Sequence, residues 1–361
     1  MIIKSLELSD FRNYESLCIH FDRGVNILFG DNAQGKTNIL EAIYVSATTK
    51  SHKSSKDKDI INFEKEEAHI RTYLEKDDIE TRVDMHLRKS KTKGIAIDGV
   101  KIKKAAELLG LLNVVFFSPE DLSIIKNGPA ERRRFMDLEL AQLDKVYLND
   151  LSNYNRIVNQ RNKLLKDVYD RKDLLETLDI WDIQLVTYGN RVMERRKLFI
   201  NQMNDIIGNV HEKLTGGRER IELLYEPGVK GDNFEDLMKK NRERDIRMKS
   251  TSIGPHRDDI CFMCGDMDIR KFGSQGQQRT AALSLKLAEI ELVKQEINDK
   301  PILLLDDVLS ELDKHRQNYL LDSIRDIQTL ITCTGVEDFL NKRFSINKIL
   351  KVEQGHVVKE N

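Results

Sequence analysis

A mixed α/β fold interrupted by a mainly helical lobe is what this chain predicts, and three observations carry the prediction. A short apolar run, Val25-Asn26-Ile27-Leu28-Phe29, leads into a glycine-rich loop and then a helical pattern. Far downstream, Ile302-Leu303-Leu304-Leu305 ends in two carboxylates, Asp306 and Asp307. Between the two, from about Pro129 to Leu214, apolar residues recur at three-to-four spacing, as in long helices with one buried face.

The elements follow in order. Ile3, Leu6 and Leu8, then Leu17, Ile19 and Phe21, flank Phe11-Arg12-Asn13-Tyr14 and read as a β-hairpin. Val25–Phe29 reads as a buried strand, and a helix follows from about Asn38 to Ala47. Residues 69–74 and 81–87 read as strands, and 95–102 as a hairpin turned by Asp98-Gly99, a pair suited to the positive φ of a type I′ turn. The N-terminal third is therefore α/β with a substantial antiparallel part. The texture becomes helical near Ser118, with two to four long helices, and breaks at Gly216-Gly217 and at Gly228 and Gly231. Sheet-like sequence returns after about Ser250. A helix is expected from Gly276 to Ile297, a strand from Pro301 to Leu305, a helix from about Lys314 to Ile324 and a strand from Thr329 to Cys333. The expected domains are a split core, 1–117 with 250–361, and a helical lobe, 118–249.

Composition sets the bounds. Among 361 residues, 40% are hydrophobic and 33% charged, as in an ordered globular protein. No apolar run approaches the roughly 18 residues that span a bilayer, and the N-terminus lacks the pattern of a signal peptide. Four cysteines make no disulfide framework, so the expected compartment is the cytoplasm. With 59 Lys and Arg against 60 Asp and Glu, any nucleic-acid contact must use local basic patches.

The chemistry-bearing motifs are more specific. Gly30-Asp31-Asn32-Ala33-Gln34-Gly35-Lys36-Thr37 fits G-x-x-x-x-G-K-[ST] between a strand and a helix. Its backbone N–H groups form an anion-binding nest, to which the helix N-terminus adds partial positive charge. Lys36 is expected on the β/γ-phosphates and the Thr37 hydroxyl on Mg²⁺. A buried strand delivers Asp306 to its C-terminal end, where it would hold Mg²⁺ through water while Asp307 polarises the attacking water. Gly273-Ser274-Gln275-Gly276-Gln277-Gln278-Arg279 opens a strong helix, and Ser274, Gly276 and Gln277 can present hydroxyl and N–H groups to a phosphate. Ser310-Glu311-Leu312-Asp313 follows the Asp306 strand.

Taken in this order, the motifs resemble those of ATP-binding-cassette (ABC) ATPases. The Ser274 segment is similar to the signature usually written L-S-G-G-Q, departing at Phe272 or Gly273 and at Gln275, and Ser310–Asp313 resembles the D-loop. The resemblance implies an ABC-type P-loop head with a mixed sheet and an inserted helical lobe. It also implies an ATP-dependent homodimer, because in that superfamily the signature contacts the γ-phosphate bound to the other subunit. Two departures stand out. Asp307 sits where many such ATPases carry Glu, and Thr334 is the candidate at the place of the usual switch histidine. Ser118-Pro119-Glu120 lies at about the place of the Q-loop.

Over nearly its whole length the chain resembles the RecF family of bacterial recombination and gap repair. The likeness is carried by Phe11–Tyr14, the glycine loop, Pro119-Glu120-Asp121, Gly128–Asp137, Thr251-Ser252-Ile253-Gly254-Pro255-His256-Arg257-Asp258-Asp259 and Leu305–Asp313. It implies an ATP-switched clamp on double-stranded DNA or ss/ds junctions, with slow, DNA-stimulated hydrolysis, acting with RecR and RecO to load RecA. It also implies that Arg12 and Asn13 lie beside the bound phosphates. The other readings are an SMC-like chromosome head, which here lacks a coiled-coil arm, and a transporter cassette, which would need a separate membrane subunit.

Candidate DNA contacts come from basic clusters: Lys53 and Lys56 after the first helix, Arg88, Lys89, Lys91, Lys93 and Lys101 around the 95–102 hairpin, and Arg132 in an arginine triplet that alternatively locks the helical lobe. The bland reading of the hairpin is a solvated face. Cys261-x-x-Cys264 lacks a second pair and is not expected to hold zinc.

Overall fold

The computed structural model describes residues 1–53, 56–167, 172–229, 233–335 and 346–360; Gly231 lies outside them. Two compact units emerge, Met1–Asp121 with Lys286–Asn361, and Leu122–Leu285. The first border lies between Asp121 and Leu122. The second lies inside a long helix rather than near 250, because a small antiparallel sheet and the start of that helix stay with the helical lobe.

The split unit holds two six-stranded sheets. One is antiparallel: β1 (Ile2–Phe11), β2 (Tyr14–His20), β4 (Glu67–Lys76), β5 (Ile79–Arg88), β6 (Gly94–Ile97) and β7 (Val100–Lys101), in spatial order β2-β1-β4-β5-β6-β7. Leu6, Leu8, Ile70, Leu74, Val83, Met85 and Leu87 are buried on one face, while Glu7, His69, Arg71, Asp84 and His86 occupy the other. That alternation is the period of a half-buried sheet. The β6–β7 turn has positive φ at both Asp98 and Gly99, as a type I′ turn requires.

The second sheet is mainly parallel. Its strands are β3 (Val25–Phe29), β8 (Val114–Phe117), β12 (Ile302–Asp306), β13 (Thr329–Cys333), β14 (Lys348–Glu353) and β15 (His356–Glu360), in order β15-β14-β3-β13-β12-β8. Only β15 runs antiparallel to its neighbour. Central strands β12 and β13 are buried at every position, which explains the uninterrupted apolar run of β12 from Ile302 to Leu305. Helix α1 (Lys36–Thr48) packs against β4 and against β8, β12 and β13, and its residues Ile39–Thr48 are all buried. Buried on all sides over that span, polar Glu41, Ser46 and Thr48 included, it has no amphipathic stripe to read.

The inserted unit is built on α2 (Leu122–Lys126), α3 (Pro129–Leu143), α4 (Lys145–Asp167), α5 (Leu178–Leu214) and α6 (Phe234–Met248). Residues β9 (Glu222–Glu226), β10 (Asp259–Cys264) and β11 (Met267–Asp268) form a three-stranded antiparallel sheet, followed by α7 (Ile269–Phe272). Helix α8 (Gln275–Ile297) crosses the border between units, and α9 (Lys314–Ser323) belongs to the split unit. No described helix is long and apolar enough to cross a membrane.

Charged groups hold the inserted unit together. Arg161 is fully buried; it donates to Asp182 at 2.6 Å, to Asp245 at 2.7 Å and to the Thr251 hydroxyl at 3.0 Å. Arg196, 1% exposed, donates to Asp258 at 2.6 Å, to Asp137 at 2.6 Å and to the Pro255 carbonyl at 2.6 Å. Asp258 also accepts from Tyr225 and from the Gly228 N–H. The Thr251–Asp259 segment is thus a scaffold of this unit.

Candidate nucleotide-binding site

The glycine loop sits where β3 ends and α1 begins. Gly30 has φ +149°, and a Cβ there would lie 2.2 Å from the Val352 carbonyl oxygen. Gly35 has φ +111°, and a Cβ would lie 2.6 Å from the Asn13 amide and 2.8 Å from the Tyr14 hydroxyl. Both positions therefore combine a left-handed backbone with crowding that excludes any side chain. Between them Ala33 also has positive φ, while Asp31, Asn32 and Ala33 are exposed at the tip.

The loop is braced from two directions. Asn13 donates to the Gln34 carbonyl at 3.1 Å and Tyr14 to the Gly35 carbonyl at 3.1 Å. From the β14–β15 turn, the Gln354 N–H donates to the Gln34 side chain at 2.6 Å and the Gly355 N–H to its carbonyl at 3.3 Å. The sequence reading did not include this C-terminal hairpin. Its signal is present, an alternating Lys348–Glu353 and a Gln354-Gly355 pair with positive φ at both residues.

Lys36 donates to the Gly30 carbonyl at 2.6 Å and the Asp31 carbonyl at 2.7 Å, which holds its ammonium at the mouth of the loop. Burial keeps it below the usual lysine range, against the pull of Asp307 and Asp306. The Thr37 hydroxyl donates to Asp306 at 2.7 Å, and the same carboxylate oxygen accepts from Thr332 at 2.8 Å. Asp306 is 7% exposed, at the C-terminal end of β12. The Thr37 and Asp306 oxygens are hard donors, spaced close to the roughly 3 Å edge of an octahedron with bonds of about 2.1 Å, so the pair fits Mg²⁺.

Asp307 adopts positive φ, and its N–H donates to Thr332 Oγ1 at 3.0 Å. That backbone bend turns the second carboxylate off the strand line. Thr332 thus fixes both members of the pair, and sequence reasoning missed it. Register explains its position, since it is the lateral partner of Asp306 on β12 and of Leu28 on β3. Thr334, the candidate at the place of the switch histidine, lies exposed just beyond the end of β13.

Arg12 and Asn13 take different roles. Asn13 lies against the loop, whereas Arg12 makes a two-pronged ion pair with Glu41 at 2.7 and 2.8 Å and donates to the Asp59 carbonyl. Burial pushes Glu41 up, but Arg12 and Ser51 outweigh it and hold the carboxyl below its usual range.

At the start of α8, in the inserted unit, Ser274 and Gln277 form a reciprocal cap. The Gln277 N–H donates to Ser274 Oγ at 3.2 Å, and the Ser274 N–H donates to Gln277 Oε1 at 2.9 Å. Gln277 also donates to Glu219 at 3.0 Å. Ser274 and Gly276 are exposed, and a Cβ on Gly276 would meet only Ser274 Oγ at 3.9 Å. Packing among the described residues therefore does not require a glycine at 276.

The chain matches the RecF/RecN/SMC N terminal domain family over residues 2–358. It is 60% identical over 363 residues to the DNA replication and repair protein RecF of Lachnospira eligens, covering 100% of each chain. Against the RecF of Clostridium perfringens it is 45% identical, covering 99% of each. The chain belongs to the RecF family.

Among solved structures, it resembles the recombination mediator protein RecF-ATPrS in the RecFOR pathway, with a TM-score of 0.91, 34% identity, and 99% and 98% of the two chains covered. The corresponding RecF-ATP structure gives the same TM-score and identity, with 99% and 97% covered. An Smc head bound to the C-winged helix domain of ScpA matches at TM-score 0.58 and 17% identity, a likeness of fold alone. The RecF relationship makes this an ABC-type ATPase fold with a nucleotide loop of the ATP-binding kind.

The candidate DNA contacts divide sharply. Lys53, Lys56, Lys91 and Lys101 are exposed, and Arg88 is half-buried. Lys93 donates to the Thr49 carbonyl and pairs with Asp57 at 2.9 Å, and Lys89 lies 3.5 Å from Glu66. Arg132 needs correction. It is 4% exposed, pairs with Asp259 at 2.5 Å and donates to the Ile124 and Asn127 carbonyls, so it locks the inserted unit and presents no charge to a duplex. Arg133 likewise donates to the Asp258 carbonyl. Cys261 and Cys264, three apart on β10, point to opposite faces, and burial pushes Cys261 up to about 11, away from the thiolate a metal needs.

Proposed function

We propose that this chain is an ATP-switched DNA-binding factor of recombinational gap repair and replication restart in the cytoplasm. ATP and Mg²⁺ bind between Lys36, Thr37 and Asp306, and two chains close head to head around double-stranded DNA or an ss/ds junction. The closed dimer, with RecR and RecO, promotes loading of RecA. Hydrolysis is slow and stimulated by DNA, and it reopens the clamp.

One observation carries the reading. The split unit brings Lys36, Thr37, Asp306 and Thr332 together at the glycine loop, and the inserted unit presents an exposed cap in which Gly276 packs, among the described residues, against Ser274 alone. A helix N-terminus whose glycine faces open space suits close approach by a phosphate bound to another copy.

The residues divide the chemistry. Lys36 and the loop N–H groups neutralise the β/γ-phosphates, and Thr37 with Asp306 would hold Mg²⁺, which supplies charge neutralisation at the transferring phosphate. Asp307 orients the attacking water, held in place by Thr332. The test is sedimentation of the wild type and Lys36→Arg, each with and without ATP and duplex DNA. Dimers are expected only for wild type with ATP, and duplex DNA should strengthen them. A monomer in every condition overturns the mechanism. Ser274→Arg should bind ATP normally yet fail to dimerise.

A further inference from the structure

Away from the nucleotide loop, the polar face of the antiparallel sheet carries a second constellation. Glu67 and His69 stand two apart on β4, so both side chains leave the same face. His86 on β5 is the direct cross-strand partner of His69. The two imidazole rings stack with centroids 4.1 Å apart and planes 23° from parallel, and His86 Nε2 lies 2.5 Å from Glu67 Oε2. One ligand atom from each of the three residues lies within 4.8 Å of the other two.

We propose that Glu67, His69 and His86 bind a divalent late first-row cation, Zn²⁺ above all. Two imidazoles and one carboxylate form a donor set that suits zinc and leaves a fourth position open to water. A tetrahedral ion with bonds of about 2.0–2.1 Å needs its ligand atoms roughly 3.4 Å apart, a value between the 2.5 Å His86–Glu67 contact and the 4.8 Å that bounds the cluster. A hard ion such as Mg²⁺, which favours oxygen donors, is disfavoured by the two nitrogens.

The charges around the site are balanced. Arg71 is taken up by Asp84 at 2.6 Å and Glu7 at 3.2 Å, which leaves Arg88 as the cation opposite Glu67 on the neighbouring strand. Bound metal would clip β4 to β5 immediately before the basic stretch from Arg88 to Lys93. The site shares no residue with the nucleotide loop or with the signature cap.

The experiment uses the full chain, stripped with a chelator and held in excess Mg²⁺ without nucleotide, and titrated with Zn²⁺ against a chromophoric competitor. One equivalent per chain is expected. Replacing a metal's outer-sphere partner alone weakens binding by about 10–100-fold, so His69→Gln, His86→Gln and Glu67→Gln should each weaken it at least about tenfold. Cys261→Ser with Cys264→Ser should bind as the wild type does. Co²⁺ in place of zinc should give the visible spectrum of a tetrahedral nitrogen and oxygen site. In the unaltered protein, NMR should show two of the eight histidines shifting on zinc addition, which needs no variant to fold. Absence of saturable binding, binding undiminished in the double histidine variant, or loss with the cysteine pair would each overturn the site.

Discussion

At the scale of single residues, Thr332 and His256 show how position outweighs residue type. Thr332 donates one hydroxyl to Asp306 and accepts the Asp307 N–H. Thr332→Val keeps the shape and removes both bonds, so ATP turnover should fall about tenfold, the equivalent of about 1.4 kcal/mol, with ATP binding nearly intact. Unchanged turnover would remove Thr332 from the site. His256 is neutral by construction: its Nε2–H donates to the Thr251 carbonyl at 3.0 Å, and its Nδ1 accepts from Tyr154 at 2.6 Å. Burial pushes it down to about 4. A base with a lowered folded value stabilises the fold above its ordinary range near 6.5 and loses that contribution as pH falls through about 4. The loss at full protonation is on the order of 3 kcal/mol. His256→Gln retains both hydrogen bonds without titrating. Its urea-unfolding stability should therefore fall less steeply than that of wild type between pH 6.5 and 4; parallel slopes would contradict the assignment.

At the scale of elements, the turns and caps carry the sharpest predictions. In the phosphate loop, Gly30→Ala places a methyl against the Val352 carbonyl and forces positive φ on alanine. Nucleotide binding should be lost while far-UV circular dichroism stays that of the wild type. In the β5–β6 connection and on β7, Lys91 and Lys101 are exposed, whereas Lys93 is already paired with Asp57. Neutralising Lys91 and Lys101 should each reduce the slope of log K against log salt for duplex DNA by about 0.9, and Lys93→Gln by less. Identical slopes for all three would assign the hairpin to solvent. Much of this level was legible in the sequence. Val25–Phe29 and Thr329–Cys333 were expected at the bounds they have. Helix α6 was not read, because Phe234 and Met238 are its only buried apolar residues and its charges resemble a loop. The Ser274 cap was legible as a helix start, but its reciprocal bond to Gln277 became visible only in the structure.

At the scale of the whole molecule, the inserted unit depends on buried ion pairs. Arg196→Met would leave Asp258 and Asp137 without their guanidinium, and breaking such a buried pair costs about 3–5 kcal/mol. A corresponding drop in urea midpoint is expected, with the ATP affinity of any folded fraction unchanged. The arginine triplet could not be sorted from sequence, since buried and DNA-facing arginines look alike until burial separates them. The glycine loop and the strand-end carboxylates were legible in the sequence because glycine geometry and strand ends are local properties. Thr332 and the β14–β15 brace escaped because lateral register is a property of the assembled sheet. The order of that sheet also bears on synthesis. Strand β3 pairs with β13 and β14, and both follow it far downstream in the chain. The phosphate loop is made about 300 residues, or roughly 15–60 s, ahead of its lateral supports. Chains in synthesis are therefore expected to hold ATP only once β13 and β14 have been made. Chains stopped at Gln328 should show no nucleotide crosslinking, and full-length chains should show it at once.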